Sequence, residues 1–318
     1  MGHPTALDHP TAKDQCESPH SLSDRCGSPN SLSDRCGSSN CLSDRFGSPN
    51  SLSDRCGSSN CLSDRCGSPN SLSDRCGSSD SLSDRCGSSN CLSDRFGSSN
   101  SLRDQCESPN SLSDRCGSSN SLSDRCESFN SLSDRCESSN ILSDHATSSS
   151  LNTSATSSSL NTSATSSRLN TSATSSRLNT SATSSRLNIN ATSSRLNTSA
   201  TSSRLNISAT SSSLNTSATS SRLNTSATSS SLNTSATSSR LNISATSSSL
   251  NTSATSSRLN TSATSSRLNT SATSSRLNIS ATSSSLNTSA TSSSLNTSAT
   301  SKSLGTSAKK LSYCCANL

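Results

Sequence analysis

Residues 151–168 read LNTSATSSSLNTSATSSR, which is two consecutive copies of a nine-residue unit. Leucine recurs every nine residues from Leu151 to Leu304, and either Ser or Arg stands before it. A second unit of ten residues, SLSDRCGSSN, recurs between residues 21 and 145. A fixed period of this kind decides how the fold is argued, so the repeats are considered before anything else.

The repeats divide the chain into four segments. Residues 1–20 are a lead-in, residues 21–145 hold the ten-residue repeats (the decads), residues 146–306 hold the nine-residue repeats (the nonads), and residues 307–318 are a unique C-terminal tail. No linker separates the decads from the nonads, which predicts a repeat boundary there. The decads are acidic and the nonads are basic, because all 20 Asp and Glu residues lie before residue 145.

The chain has few large apolar side chains. Leu, Ile and Phe make up 42 of the 318 residues, and Val and Trp are absent. That share is about 13%, below the roughly 20% at which chains lose the means to build a core. Burying one leucine gains about 1.5–3 kcal/mol, whereas ordering nine backbone residues costs roughly 1–2 kcal/mol for each. The sequence therefore predicts predominantly disordered, low-complexity, serine-rich tandem repeats.

An irregular β-solenoid is the alternative fold. Neither period gives a helix a continuous leucine stripe. Along a flat strand, the decad places Leu22 on one face with Asp24 and Cys26, which is not an apolar face, and the nonad moves leucine from face to face. Only a chain that turns once per one or two repeats could point every leucine inward, as a β-solenoid does.

The copies of each repeat differ from one another. In the decads, Gly gives way to Glu at residues 107, 127 and 137; in the nonads, Thr gives way to Ile at residues 189, 207, 243 and 279. Few such changes preserve size or polarity, and a packed coil would be sensitive to them. The variation predicts an open reading frame over a minisatellite, a tandem DNA array that drifts with little structural restraint.

Two patterns favour a Ser/Thr-rich glycosylated or cysteine-cross-linked surface or matrix protein instead. Most of the 16 cysteines stand ten residues apart in the decads, and exposed thiols of this kind would join chains together under oxidising conditions. The nonads resemble a mucin-like glycosylated stalk in composition, and they contain N-x-S/T sequons. The candidate glycosylation sites are Asn152, Asn161, Asn170, Asn179 and Asn190.

The chain ends in Cys315-Ala316-Asn317-Leu318, which has the C-a-a-X pattern of prenylation. Cys315 would carry the prenyl group, and Cys314 could take a second acyl group. Asn317 is not aliphatic, so we expect this ending not to be prenylated.

The sequence predicts no enzyme, no cofactor and no metal site. Nothing in a disordered chain would hold Ser, Asp, Cys and His side chains in the geometry that catalysis needs, and no C-x-x-C pair offers zinc ligands. The case for nucleic-acid binding is thin, because the arginines of the nonads have no aromatic platform. No signal peptide or apolar span is visible, so the default location is intracellular. No partner or specific molecular function follows, and a β-solenoid binding module stays as a second alternative function.

Overall fold

The computed structural model describes residues 11–16, 21–22, 25–26, 31–46, 51–53, 55–66, 71–86, 91–106, 111–309 and 313–314. These residues form parallel β-sheet and contain no helix. The prediction of a predominantly disordered chain is therefore wrong for them. The strands are β1 (Thr11–Cys16), β2 (Ser21–Leu22), β3 (Arg25–Cys26), β4 (Ser31–Phe46), β5 (Ser51–Leu52), β6 (Arg55–Cys66), β7 (Ser71–Leu72), β8 (Arg75–Cys86), β9 (Cys91–Cys106), β10 (Ser111–Lys309) and β11 (Tyr313–Cys314). The chain divides into two compact units, Met1–Ser159 and Leu160–Leu318.

In the first unit, the strands pair in parallel with an offset of twenty residues. Arg35 of β4 lies opposite Arg55 of β6, and Arg55 lies opposite Arg75 of β8. The same offset joins Cys91 of β9 to Ser111 of β10. Each decad thus pairs with the equivalent positions two repeats later, so the chain returns to the same place after two decads.

In the second unit, the offset is eighteen residues, or two nonads. Tyr313 of β11 pairs in parallel with Leu295 of β10. Within β10, the side chain of Asn242 donates a hydrogen bond to that of Asn224, eighteen residues before it. Parallel pairing between stretches two repeats apart is compatible with the β-solenoid alternative.

Burial in the nonads alternates along the strand, and this explains how an odd repeat keeps every leucine inside. In the copy at residues 223–231, Leu223, Thr225, Ala227 and Ser229 are buried, and the residues between them are exposed. Neither of the last two residues of the copy is buried. These two consecutive residues shift the alternation of buried and exposed positions by one residue in each nonad. The leucine that begins the next nonad is therefore buried again.

The disorder prediction fails because it counts one buried side chain per repeat. Four of the nine side chains turn inward, and the leucines at nine-residue intervals from Leu151 to Leu286 are 0% exposed. The small Thr, Ala and Ser side chains fill the remaining interior. Strand β10 runs without interruption over 199 residues, so backbone hydrogen bonds across the sheet offset the entropy that a single leucine could not.

The decads also have an inward face, and it carries carboxyl groups. Asp114, Cys116 and Ser119 are buried within one decad, and Leu122 and Asp124 are buried in the next. The face that leucine, aspartate and cysteine share along the sequence therefore turns inward here, and the expectation that it is too polar to do so is wrong for these residues.

Candidate functional site

The outer surface of the nonads consists of columns of identical side chains. Residues eighteen positions apart are neighbours in this sheet. Neighbouring strands lie about 4.8 Å apart, so each exposed position of the repeat recurs at that interval. The exposed positions carry Asn, Ser and Thr, together with Ser or Arg before the leucine.

The asparagines of the second unit form two hydrogen-bonded ladders. In each, the amide nitrogen donates to the side-chain oxygen of the asparagine eighteen residues earlier, at 2.8–3.1 Å. The first ladder is Asn161, Asn179, Asn197, Asn215, Asn233, Asn251, Asn269 and Asn287. The second ladder is Asn170, Asn188, Asn206, Asn224, Asn242, Asn260 and Asn278.

A shorter ladder of the same kind lies in the first unit. Asn140 donates to Asn120 at 3.1 Å, Asn120 donates to Asn100 at 3.0 Å, and Asn100 donates to the carboxylate of Asp80 at 3.0 Å. The offset here is twenty residues, as in the backbone pairing. The side-chain ladders therefore follow the same offset as the backbone pairing in both units.

Three of the predicted glycosylation sites, Asn161, Asn170 and Asn179, belong to the ladders, and Asn152 and Asn190 are exposed. An N-linked glycan is attached to the amide nitrogen, and the amide nitrogen of Asn179 donates the ladder bond to Asn161. Side chains about 4.8 Å apart also leave no room for a glycan on every one. The folded ladders and dense glycosylation are therefore mutually exclusive states, and the glycosylation sites stay a prediction.

The other predicted modification sites are cysteines. Cys314 lies in β11, and Cys315 lies outside the described residues, so lipidation stays a prediction. Cys116 and Cys136 are buried. The predicted exposure of the decad thiols is wrong for these two, because both side chains point into the interior. Self-association through cysteines stays a prediction.

All ten arginines of the nonads are exposed, and their distribution follows the eighteen-residue offset. One group of seven, which we call the arginine column, occupies the same position on successive pairs of repeats: Arg168, Arg186, Arg204, Arg222, Arg240, Arg258 and Arg276. The other three are Arg177, Arg195 and Arg267, which fall on the alternate repeats. Sequence reasoning missed this grouping because it compared each nonad with the next, whereas comparison of every second nonad reveals it.

Three aspartates meet in the interior of the first unit. Asp114, Asp124 and Asp134 are each 1% exposed, and one carboxylate oxygen from each lies within 4.8 Å of the others. Buried carboxylates at this distance repel one another. A shared proton, or a hard cation such as Ca²⁺ or Mg²⁺ that prefers oxygen ligands, would offset that repulsion.

Asp144 is also fully buried, and its carboxylate accepts a hydrogen bond of 2.8 Å from the hydroxyl of Thr153. Burial raises the pKa of Asp144 from 3.8 to about 6, although the hydrogen bond from Thr153 lowers it in part. The folded chain therefore holds this proton more tightly than the unfolded chain. The resulting stabilisation is fully present below about pH 4 and is lost as the pH rises through about 6.

No known protein family, curated protein or solved structure matches this chain. Within the residues that the structure describes, no helix is long and apolar enough to cross a membrane. The exposed columns and the buried carboxyl groups are therefore the features from which a function can be inferred.

Proposed function

We propose that this protein is a β-solenoid binding module whose exposed columns of identical side chains form the binding surface. The observation that supports it most directly is the pair of asparagine ladders, in which the same hydrogen bond recurs at 2.8–3.1 Å through the second unit. Side chains that pair in this way must be in register on successive turns. Such a surface presents one chemical group at a fixed interval, which suits a partner that is itself a repeating polymer.

The proposed role is binding and not catalysis. After Asp144 the chain contains no acidic residue, and after His145 it contains no histidine. Apart from Thr153, whose hydroxyl donates to the buried carboxylate of Asp144, the Ser and Thr residues of the nonads have no acidic residue or histidine within their own repeats to remove a proton, which an activated Ser or Thr nucleophile would need.

The binding module is favoured over a glycosylated stalk because the ladders bring the asparagines too close together for dense glycosylation. An amide inside a ladder, such as that of Asn224, donates to Asn206 and accepts from Asn242. Sugars on the nitrogens of successive ladder asparagines would stand about 4.8 Å apart, which leaves no room for a glycan on every one.

The proposal is tested first at the level of the fold, by two matched leucine substitutions. Leu223 is 0% exposed, whereas Leu304 occupies the same position of the repeat and is 42% exposed. Leu223→Ala should lower the free energy of unfolding by about 2–5 kcal/mol, and Leu304→Ala should change it by about 1 kcal/mol or less. Urea and thermal unfolding followed by circular dichroism measure both values. A chain without a cooperative transition, or with equal effects of the two substitutions, would refute the solenoid.

A further inference from the structure

We propose that the arginine column binds an acidic polysaccharide, with the polymer lying along the column across successive turns. The inference rests on the proposed β-solenoid, and it adds the chemical class of the partner and the residues that contact it.

The register of the arginine column is fixed by the asparagine ladder beside it. Each arginine stands two residues before a ladder asparagine; Arg222, for example, precedes Asn224, which is bonded to Asn206 and Asn242. The seven arginines therefore follow the same eighteen-residue offset as the ladder. At about 4.8 Å per turn, six intervals give a row of guanidinium groups roughly 29 Å long.

The charge of the arginine column is uncompensated within the second unit. Every member is exposed, and no Asp or Glu occurs after Asp144. Like charges about 4.8 Å apart repel one another. A flexible chain of anionic groups would relieve this repulsion at several positions at once, and its binding would release the counterions that had gathered around both partners. The planar guanidinium is also suited to paired hydrogen bonds with oxyanions.

The groups beside the arginine column favour a polysaccharide over a nucleic acid. No aromatic residue occurs between Phe129 and Tyr313, so the nonads lack the stacking platforms on which proteins bind single-stranded bases. They offer amides and hydroxyls instead. Asn224 uses one N–H and one lone pair in its ladder, which leaves a second N–H and a second lone pair for an external hydroxyl. An exposed serine, such as Ser221, stands directly before each arginine of the column. A polymer with both oxyanions and hydroxyls matches this surface.

The alternate nonads provide a matched internal control. At the same position of the repeat, they carry Arg177 and Arg195, then Ser at residues 213, 231 and 249, and then Arg267. These three arginines have the same local sequence and exposure as the column, but they do not form a continuous row.

The test compares two triple variants of the full chain. One carries Arg204→Ser, Arg222→Ser and Arg240→Ser, which interrupt the column. The other carries the same replacement at residues 177, 195 and 267, so the two variants have equal net charge. Serine already occupies this position in other nonads, and circular dichroism checks that each variant keeps its β-structure. The probe is a fluorescently labelled heparin oligosaccharide, whose binding is followed by anisotropy at several salt concentrations.

Interruption of the column should weaken heparin binding by roughly tenfold, since three of its seven arginine contacts are lost. The control triple variant should weaken it less than about threefold. Equal losses in both variants would overturn the proposal, because binding would then follow net charge alone. If the unmodified chain shows no β-structure by circular dichroism, the proposed solenoid itself is refuted. Failure of the solenoid and failure of the polysaccharide proposal can therefore be distinguished.

A gain-of-function variant tests the same idea in the opposite direction. Ser213→Arg, Ser231→Arg and Ser249→Arg together would complete a row of six arginines from Arg177 to Arg267. This variant should bind a second heparin oligosaccharide, which calorimetry would report as a doubled stoichiometry. An unchanged stoichiometry would contradict the proposal that a continuous row of arginines binds the polysaccharide. Tighter binding of a single-stranded oligodeoxynucleotide of equal charge than of heparin would overturn the polysaccharide in favour of nucleic acid.

Discussion

Replacing Thr225 with valine should stabilise the second unit. Thr225 is 2% exposed, and in the described part of the chain its hydroxyl has no hydrogen-bond partner. The residues eighteen positions before and after it are Ile207 and Ile243, each 2% exposed. The hydroxyl of Thr225 therefore occupies an interior column between the positions of two isoleucines.

The expected gain follows from the cost of burying a polar group without a partner. A buried hydroxyl that makes no hydrogen bond costs about 1–3 kcal/mol. Valine has the same shape, and it replaces that hydroxyl with a methyl group. We expect Thr225→Val to raise the free energy of unfolding by about 1 kcal/mol, at the lower end of this range, because buried serines also make the interior partly polar. For a unit of this size, such a gain raises the melting temperature by about 2–4 °C.

Thr228 provides the matched control, since it lies in the same nonad and is exposed. Thr228→Val should change the stability by less than about 0.5 kcal/mol. Both variants are compared with the parent chain by urea and thermal unfolding, followed by circular dichroism. Destabilisation by Thr225→Val, or equal effects of the two substitutions, would show that the Thr225 hydroxyl is hydrogen-bonded or in water, and the proposed interior would then be incorrect.

Three further predictions follow from buried or crowded groups. The stability of the parent chain should fall by roughly 2 kcal/mol more than that of Asp144→Asn between pH 4 and pH 7, from the raised pKa of Asp144; identical pH profiles in urea unfolding would contradict this. Gly77→Ala should cost about 1–3 kcal/mol, because its Cβ would lie 2.5 Å from the carbonyl oxygen of Gly57. Gly305→Ala, whose Cβ would meet only the side chain of Asn287, should cost less in the same assay. Alkylation of Cys136, which is 6% exposed, should be slow in native buffer and fast in urea, as measured by peptide mass spectrometry.

Part of this architecture could be predicted from the sequence. The period, and the requirement that the chain turn once per one or two repeats, follow from the positions of the leucines alone. The even period also places residues such as Leu122 and Asp124 on one side of a strand, but the expectation that so polar a face would not turn inward was wrong. The prediction of disorder was wrong because an argument from composition assumes that Ser and Thr face the solvent. A pattern that alternates inward and outward residues can bury Thr225 and Ser229 as regularly as it buries Leu223.

The binding surface was harder to predict, because its unit is two repeats and not one. A column forms between residues that are eighteen apart, so the alternation of Ser and Arg before leucine looks irregular when consecutive nonads are compared. The buried aspartates were missed for a different reason. Charged residues are almost never fully buried unless they are paired, and no sequence pattern reveals that Asp114, Asp124 and Asp134 converge.

The differences among the nonads follow burial, which argues against drift without structural restraint. The isoleucines that replace threonine are 1–2% exposed, and all of them fall on the repeats that bear the arginine column: Ile189, Ile207, Ile243 and Ile279. Every arginine occurs instead at an exposed position. An added segment of eighteen residues supplies one full turn and keeps each column aligned, whereas an added segment of nine residues would move all later arginines to the other half of the turn. The seven arginines of the column therefore recur at the same eighteen-residue offset at which the strands of the second unit pair.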